Sequence, residues 1–530
     1  MSIGYPGSSR IVSPSLSTSH RSEADRIVCL TKELACSTRE LAWSRLKIQA
    51  LEERLRLELI RKYGPKSEKL SNDQLQLLNL EPGVSAAEVE AESTREPLPL
   101  ASPIKAGSER KGGVHPGRQE LPAALPRVER VIGCTPEQCV CRSCGKDTVV
   151  IGYERSEQLD VEPARYFVVV TKREKRACRG CVDGVSAAPL PERIIEKGLV
   201  GDGVVIDTVV SKYSDHLPLY RQSAILERDA GVSISRATMD GWVMQVGEML
   251  TPVAAAIGRE LIGGSYIQAD ETPVPVQMHD NRGKNHQAYL WQFGTPGGSV
   301  VFDFQLGRGR EGPKKFLGQF EGILQTDGYT AYDQTGGPKI VHAACWAHTR
   351  RKIYDALKLS PDDRVARQLV ERIDELFAVD AEARHAGMDH AARHVLRGRR
   401  SGPLLDLIRA EMEAAQVEAL PASALGKGIA YTLTLWHKLT RFREHPELEL
   451  STNLAENSMR PVVLGRKNWI HVGSEQAGPK VAAILSVIES CRRLRLPVRE
   501  YLAATLPGLA NLSIQRVSQY TPAAWAASRS

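Results

Sequence analysis

The N-terminal part of the chain carries an apolar residue at every seventh position. These positions are Ile27, Leu34, Leu41, Ile48 and Leu55. The spacing predicts a long helix over residues 23–62 with a coiled-coil seam along one side. A second seam is weaker, because Ser37 and Ser44 interrupt it. The helix is therefore expected either to pair in a parallel dimer or to pack on its own domain.

Two amphipathic segments joined at Ala230-Gly231 follow between residues 198 and 262. Their outline fits a helix-turn-helix, in which the second segment, SRATMDGWVMQV, would enter the major groove of DNA. A plain helical hairpin fits the same pattern. The region is therefore predicted to be helical, with DNA binding as one of two interpretations.

After residue 262 the pattern changes from helical to strand-like. The runs SYIQAD, QAYLWQFGT and SVVFDFQL predict three strands in a meander. A helix (EGPKKFLGQF), two strands (GILQTDG and KIVHAAC) and another helix (WAHTRRKIYDALKL) follow. This order is typical of a ribonuclease H-like domain, in which the first and fourth strands are neighbours. Pro273 and Pro275 predict that the first strand stops shortly after Asp270.

Acidic residues occur where this strand order would bring them together. Asp270 is expected to end the first strand and Asp327 the fourth, so their carboxylates should lie side by side. Adjacent carboxylates repel each other unless a cation or a proton lies between them, and magnesium prefers such oxygen ligands. A third acid would complete a site for two ions. Glu456 is the candidate, on a short helix that Ser451 or Thr452 would cap.

Cysteine spacing indicates a second kind of metal site. Cys141 and Cys144 form one C-x2-C pair, and Cys178 and Cys181 form another after a spacer of 33 residues. Two such pairs around a strand-like run (YFVVVTKRE) predict a zinc ribbon, in which four thiolates hold a structural zinc ion.

Composition agrees with an intracellular, multidomain protein. The chain has 530 residues, of which 42% are hydrophobic, and a net charge of +7. No apolar run is long enough to span a membrane, and residues 1–22 lack the apolar core of a signal peptide. Residues 81–130 contain seven prolines, five glycines and no aromatic residue, a composition that favours a linker.

The predicted fold class is α/β multidomain, with a ribonuclease H-like catalytic domain that contains a helical insert. The predicted organisation is a disordered leader at 1–22, a leucine-rich coiled-coil helix at 23–80, a linker at 81–130, a zinc-ribbon domain at 131–195, a helical region at 196–262, the catalytic domain at 263–500 with its insert at 361–447, and a C-terminal tail at 501–530.

Several stretches resemble one known family. They are RSEQLDVEPARY, KYSDHLPLYRQ, ADETPVPV, TDGYTAY, CWAHTRRK and AENSMRPVVLGRKNW. Together with KYGPKSEKL, and in this order, they resemble a transposase of the insertion-sequence-66 family, a group of DDE transposases. The resemblance extends from the N-terminal helix to about residue 500.

The resemblance implies that the D-D-E triad is Asp270, Asp327 and Glu456. Side chains alternate along a strand, so only one of Asp270 and Glu271 can face the ions, and the family motif assigns Asp270. The implied activity is metal-dependent cleavage of DNA at the ends of an insertion sequence, followed by strand transfer into target DNA. The implied cofactors are two magnesium or manganese ions and a structural zinc ion.

The expected partners are transposon ends, target DNA, a second copy of the chain or a higher oligomer, and accessory proteins of the same element. No membrane partner is expected. The expected location is the bacterial cytoplasm, at the nucleoid. The alternative is an inactive copy that only binds DNA.

Basic and aromatic residues near the triad are candidates for DNA contacts. They are Arg350, Arg351, Arg460, Arg466, Lys467 and Trp469. The arginines and the lysine would hold phosphates, and Trp469 would stack on an unpaired base in a predicted hairpin, GRKNWIHVGS. His348 is expected to support the acidic cluster or to fill a buried structural position. A basic loop, HVLRGRRSGP, is predicted within the insert.

Overall fold

The computed structural model describes residues 23–63, 72, 74–75, 89–90, 166–172, 175–177, 185–187, 191–196, 198–278 and 284–529. These residues divide into two compact units. The smaller contains β1 (Lys175–Ala177), β2 (Val185–Ala187) and residues 223–234. The larger contains the other elements described below, except for residues 223–230 of one helix. None of the helices in the described ranges is both long and apolar enough to cross a bilayer.

The predicted N-terminal helix is present as α1 (Glu23–Tyr63). All five residues of its heptad seam are exposed, with 55% to 65% of their surface accessible. Near its C-terminal end, Nη1 of Arg56 donates to the carbonyl of Leu359 at 2.8 Å, and Oε1 of Glu53 accepts from the backbone N–H of Ala424. The helix is thus attached by its polar residues, and its apolar seam is not packed within the chain.

Strands β1 and β2 form an antiparallel pair in register from Lys175–Ala187 to Ala177–Val185. Cys178 and Cys181 fall between these strands in sequence but lie outside the described residues, as do Cys141 and Cys144. Residues 166–172, where the sequence predicts a strand, belong to no strand. The strand prediction for that run is therefore wrong.

A five-stranded mixed sheet forms the centre of the larger unit. Its strands are β3 (Tyr266–Val276), β4 (His286–Gly294), β5 (Val300–Gln305), β6 (Ile323–Thr326) and β7 (Val341–Ala344). The order is β5-β4-β3-β6-β7. The first three strands are antiparallel, and β6 runs parallel to both β3 and β7. The predicted adjacency of the first and fourth strands is confirmed.

Strand β3 extends past its prolines, contrary to the sequence prediction. It pairs with β4 as far as Val276, whereas its pairing with β6 stops at Gln268. The carbonyl of Pro275 accepts from Val472 N–H at 2.9 Å, so the backbone of this residue points away from β4. Pro273 has the same orientation because orientation alternates along a strand. The missing N–H groups therefore do not interrupt the β3–β4 ladder.

Other helices of the larger unit lie before, between and after the strands in the sequence. They are α2 (Asp202–Tyr213), α4 (Arg236–Ile262), α5 (Glu311–Leu317), α6 (Trp346–Leu359), α12 (Asn453–Trp469), α13 (Ala477–Arg493), α14 (Val498–Thr505) and α15 (Pro522–Ala527). Helix α3 (Leu219–Ala230) follows α2 in sequence, and only its first turn belongs to the larger unit. The segment that the sequence proposes as a recognition helix is the first part of α4, which continues as a 27-residue helix with a buried face packed on α13.

Helix α13 also protects the edge of the sheet. The hydroxyl of Ser490 accepts from Val300 N–H at 2.9 Å, and that of Ser486 accepts from Phe302 N–H at 2.8 Å. Both donors belong to the edge strand β5, whose N–H groups would otherwise remain without partners. The sheet is therefore closed on this side by side chains of a helix.

Five helices lie between α6 and α12 in sequence. They are α7 (Arg364–His385), α8 (His390–Leu396), α9 (Gly402–Glu418), α10 (Ala424–Thr434) and α11 (Trp436–Leu439). Apolar residues of α6, α7, α9 and α10 share one core with the end of the sheet. We refer to residues 361–447 as the helical insert.

The predicted basic loop of the insert is a helical turn instead, in which Arg397 is buried and Arg399 and Arg400 are exposed. Residues Arg397–Ser401 form a π-helical turn between α8 and α9. The guanidinium of Arg397 is fully buried and binds both oxygens of Asp380, at 2.8 and 2.6 Å. Arg393 binds the same carboxylate at 2.8 Å. Arg393 and Arg397 are basic in sequence but internally neutralised in the fold.

Helix α12 corrects two further predictions. It has 17 residues, longer than the predicted short helix, and it includes Pro461. Thr452 occupies the N-cap position, but its side chain makes no capping hydrogen bond. The predicted hairpin GRKNWIHVGS begins as the last turn of this helix, and only Val472 forms a bridge, with Val276.

Candidate active site

Asp270 and Asp327 lie at the same level of two neighbouring parallel strands. Gln268 in β3 pairs with Gln325 in β6, and each aspartate follows two residues later. Because side chains alternate along a strand, each aspartate shares the sheet face of its own glutamine. Asp270 lies where β3 separates from β6, and Asp327 follows the last residue of β6. The structure therefore brings the two acids together.

Glu456 approaches the same end of the sheet from α12, which packs on β3. Its Oε1 lies 3.6 Å from Nε2 of His348, and its Oε2 lies 3.6 Å from Nη2 of Arg351. Both of these residues belong to the first two turns of α6, directly after β7. The three acids thus come from a strand, a strand end and a helix.

The pKa of the Asp270 carboxyl is raised to about 8. Burial is the largest cause, and the carboxylates of Glu456 and Glu271 raise the pKa further. Asp327 adds a smaller effect in the same direction, while His348 opposes it. An isolated aspartate titrates near pH 4. The carboxyl of Asp270 is therefore a site where a bound cation would replace a proton.

Glu271 points to the other side of β3 and is held by cations and hydroxyls. Its carboxylate is 2% exposed. Oε1 accepts from Nε and Nη2 of Arg308 at 2.9 and 2.7 Å, and Oε2 accepts from the hydroxyl of Tyr332 at 2.8 Å. Burial nevertheless raises the pKa of Glu271. The alternation that separates Glu271 from Asp270 is thus present.

Arg308 connects this carboxylate to the loop that carries Asp327. Its guanidinium lies over the ring of Tyr329, 4.2 Å from the centroid, and its carbonyl accepts from the Tyr329 hydroxyl at 3.0 Å. The backbone N–H of Tyr329 in turn donates to Oδ1 of Asp327 at 2.8 Å. No local pattern in the sequence indicates this group, because its members are far apart in the chain.

Cys345 and His348 form a pair behind Glu456. The Cys345 sulfur is buried and accepts from Thr452 N–H at 3.3 Å. Burial opposes charge on His348, but Cys345 and Glu456 outweigh it and raise the pKa of His348 to about 10. Burial likewise opposes a Cys345 thiolate, yet His348 lowers the pKa of this thiol. His348 thus faces the acidic cluster as a cation.

The acids suit a hard divalent cation by their chemistry. Within the ranges that the structure describes, no group of three or more His, Cys, Asp or Glu side chains is arranged to hold a metal ion. Oδ1 of Asp270 accepts from Glu271 N–H at 2.8 Å. Carboxylate oxygens are nevertheless the preferred ligands of magnesium, and a cation would relieve the repulsion around Asp270. The residue types therefore fit the ion, and their present side-chain positions are not those of ligands.

Two of the predicted DNA contacts are directed at protein groups instead. Arg350 is buried and makes two hydrogen bonds to Asp374, at 2.7 and 3.0 Å. Arg466 donates to Thr272 Oγ1 at 3.1 Å and to the carbonyl of Pro273. Both guanidinium groups join elements of the fold, so their assignment to DNA phosphates is not supported by the geometry.

The other predicted contacts are accessible to different degrees. The side chain of Arg351 is 41% exposed, Lys467 is exposed, and Arg460 and Trp469 are half-buried. Trp469 lines an open cleft of about 610 Å³ together with Lys212, Tyr220 and Arg236. The cleft has no local pattern in the sequence, because its residues come from α2, α3, α4 and α12, the last of which is far from the others in the chain.

Models of one protein family match the main part of the chain. A model described as "Transposase IS66 family" matches residues 197–480, which include all three acids. A model described as "zinc-finger binding domain of transposase IS66" matches residues 138–182, and one described as "Transposase C of IS166 homeodomain" matches residues 50–130. These matches imply use of a divalent metal, zinc binding and DNA as a partner.

Two uncharacterized proteins are similar to this chain over most of its length. The uncharacterized protein y4qI of Sinorhizobium fredii (strain NBRC 101917 / NGR234) is 34% identical over 469 residues, which are 84% of this chain and 83% of the relative. The uncharacterized protein y4jD of the same strain is 31% identical over 424 residues, 77% of this chain and 82% of the relative. The similarity therefore extends over most of the chain.

Proposed function

We propose that this chain, which belongs to the IS66 transposase family, binds the ends of an insertion sequence and catalyses DNA cleavage and strand transfer. The observation that carries the proposal is the convergence of Asp270, Asp327 and Glu456 at one end of the sheet, with the pKa of Asp270 raised to about 8. We assign the sheet and its flanking helices to a ribonuclease H-like catalytic domain.

In this proposal the three acids would hold two magnesium or manganese ions. A bound ion supplies a Lewis acid for the phosphate and lowers the pKa of the attacking hydroxyl. Asp270 and Asp327 are fixed by the paired strands, whereas Glu456 is oriented by His348 and Arg351. The chain thus contributes two rigid carboxylates and one whose position depends on α12.

Two reactions at phosphorus follow in sequence. In the first, water adds to the phosphorus at the end of the element and the bond to O3′ breaks, which releases a 3′-hydroxyl and leaves a 5′-phosphate. In the second, this 3′-hydroxyl adds to a phosphorus of the target DNA and a target 3′-hydroxyl leaves. No covalent bond between protein and DNA is required.

We assign DNA contacts to Arg351, Arg460, Lys467 and Trp469. Arg351 lies beside Glu456, and its exposed part is available to a phosphate near the acids. Trp469 lies 13 residues beyond Glu456, or about 20 Å along α12 at 1.5 Å per residue. The cleft beside it combines two aromatic rings with Lys212 and Arg236, a combination that suits bases and phosphates of a strand.

The remaining parts of the proposal concern assembly. Cys141, Cys144, Cys178 and Cys181 hold a structural zinc ion, and the second pair falls in the connection between β1 and β2. The exposed heptad seam of α1 pairs with that of a second copy, since two DNA ends must be brought together. Accessory proteins of the same element assist at the bacterial nucleoid, and we retain the sequence-based domain boundaries as part of this proposal.

Strand joining tests the proposal. Purified chain is incubated with pre-cut terminal DNA and a plasmid target, in magnesium or EDTA, beside the Asp327→Asn variant. Joined product that requires both magnesium and Asp327 is the expected result. The matched control is Asp333→Asn in the same loop, whose carboxylate pairs with Lys438 at 2.6 Å.

Two outcomes contradict the assignment. Joining that persists in Asp327→Asn removes this residue from the catalytic group. Absence of joining by the native chain, with terminal DNA still bound and with accessory proteins added, assigns the chain to DNA binding without catalysis.

A further inference from the structure

A buried polar network lies directly behind the two aspartates. Gln268 and Gln325, each two residues before an aspartate, are 2% and 0% exposed. Oε1 of Gln325 accepts from the hydroxyl of Tyr266 at 2.5 Å and from Nε2 of Gln268 at 3.0 Å. The network therefore links β3 to β6 immediately behind Asp270 and Asp327.

The same glutamines bind the segment that leads to the third acid. Nε2 of Gln325 donates to the carbonyl of Glu449 at 2.7 Å, and Nε2 of Gln268 donates to the carbonyl of Ser451 at 3.0 Å. The backbone N–H of Glu449 donates to the Tyr266 hydroxyl at 3.3 Å. We call residues 448–452 the return segment, because they connect the helical insert to α12.

The return segment is also attached to the insert from its other side. The carboxylate of Glu449 binds Arg393 at 3.1 Å and also contacts Arg384. Arg397 donates to the carbonyl of Leu448 at 2.8 Å while it holds Asp380. Glu449 therefore contacts the two strands through its backbone and the insert through its side chain.

We propose that Gln268 and Gln325 are positioning residues that set the distance of Glu456 from the two aspartates. Their amides fix the return segment on the sheet. Glu456 lies four residues beyond Thr452, in the first turn of α12. A buried carbonyl that loses its donor has no water to replace it, so the segment must move when either amide is removed. This inference rests on the proposed function and adds the residues that place the third acid.

Replacement of one amide by an isosteric apolar chain tests the inference. Gln325→Met is made in the full-length, zinc-loaded chain, with Gln268→Met as an independent second variant. The matched control is Gln305→Met, because Gln305 is in the same sheet but its amide bonds only Asp303, at 2.7 Å. The first measurement is amide hydrogen exchange in peptides that cover residues 448–456.

We expect exchange in these peptides to accelerate about tenfold in Gln325→Met and Gln268→Met and to remain unchanged in Gln305→Met. In the joining assay, the magnesium concentration at half-maximal rate should rise about 10-fold to 100-fold, with affinity for terminal DNA unchanged. A purely structural role would lower the melting temperature and the active fraction but leave the magnesium midpoint where it is.

Exchange and activity separate this inference from the proposed function. Unchanged exchange at residues 448–456 in both variants overturns the inference, as does an unchanged magnesium midpoint. If the native chain joins no DNA, the proposed function fails, and the exchange data together with calorimetric binding of manganese still decide whether the glutamines position the return segment.

Discussion

Two buried acidic clusters in the described part of the chain differ in how their charge is compensated. In the insert, Asp380 is fully buried, and burial alone would raise its pKa, but Arg397 and Arg393 outweigh burial and lower it. At the end of the sheet, burial raises the pKa of Asp270 to about 8, and the carboxylates around it add to the rise. One cluster is complete within the chain, whereas the other has a surplus of negative charge.

The difference separates a structural network from a candidate site. Buried ions that are paired and hydrogen-bonded stabilise one arrangement of the chain, and removal of one partner leaves an uncompensated charge. A cluster with surplus charge is costly unless something outside the chain neutralises it, which is why perturbed carboxylates collect at functional sites. Four predictions follow from this contrast, in order of expected effect.

The largest effect is expected in the insert. Asp380→Asn leaves the buried guanidinium of Arg397 without its anion and should lower the free energy of unfolding by about 3–5 kcal/mol. Urea unfolding measures this change. Glu382→Gln on the same helix is the control, because its pair with Arg400 is half exposed on both sides and should contribute at most about 1 kcal/mol. Equal effects of the two substitutions would contradict the structural role of Asp380.

At the end of the sheet, replacement of the buried aspartate is expected to raise the free energy of unfolding rather than lower it. Without metal, the folded-state pKa of Asp270 lies above the unfolded value near 4, so ionisation of this carboxyl destabilises the fold as pH rises from about 4 to 8. Asp270→Asn should therefore raise the free energy of unfolding at pH 8 in EDTA, by about 2 kcal/mol, and should have little effect at pH 4. A loss of stability at pH 8 would show that the charge is compensated after all.

Magnesium should remove part of the difference in unfolding free energy between the native chain and Asp270→Asn. Binding to the folded chain alone stabilises it by about 1.4 kcal/mol when magnesium is at ten times its dissociation constant. Because the ion must displace the Asp270 proton, its affinity should fall about tenfold for each pH unit below 8. Thermal unfolding with and without magnesium, at pH 6 to 9, measures both effects, and Asp270→Asn should not respond. If the stabilisation by magnesium does not change with pH, the ion binds at a site other than Asp270.

The smallest effect is expected from a charge that belongs to neither cluster. Lys467→Ala should reduce the slope of log affinity for DNA against log salt by about 1, since one phosphate contact is lost. The control is Lys339→Ala, an exposed lysine that precedes β7 at the opposite end of the sheet from the acids. If both substitutions change the slope equally, Lys467 has no particular role in DNA binding.

Periodic features of the sequence predicted most secondary structure correctly. The heptads gave α1, and WAHTRRKIYDALKL coincides with α6. Local rules failed where the environment overrode them: Pro273 and Pro275 lie within β3 because their backbones face away from β4. In RGRR, a helical turn replaces the predicted basic loop, and its first arginine, Arg397, is buried against Asp380 while its other two arginines are exposed.

The assignment of Asp270, Asp327 and Glu456 as the triad stays a prediction, for which the acids themselves were selected from the sequence by strand order and a family motif. The partners of those acids could not be selected in this way. Arg308 reaches Glu271 across 37 positions, and Gln325 reaches Glu449 across 124. Such contacts have no local signature, since only the folded chain brings these segments within hydrogen-bond distance. The sequence therefore determined which groups carry the candidate chemistry, and the tertiary structure alone decided which residues hold them apart and how their charge is balanced.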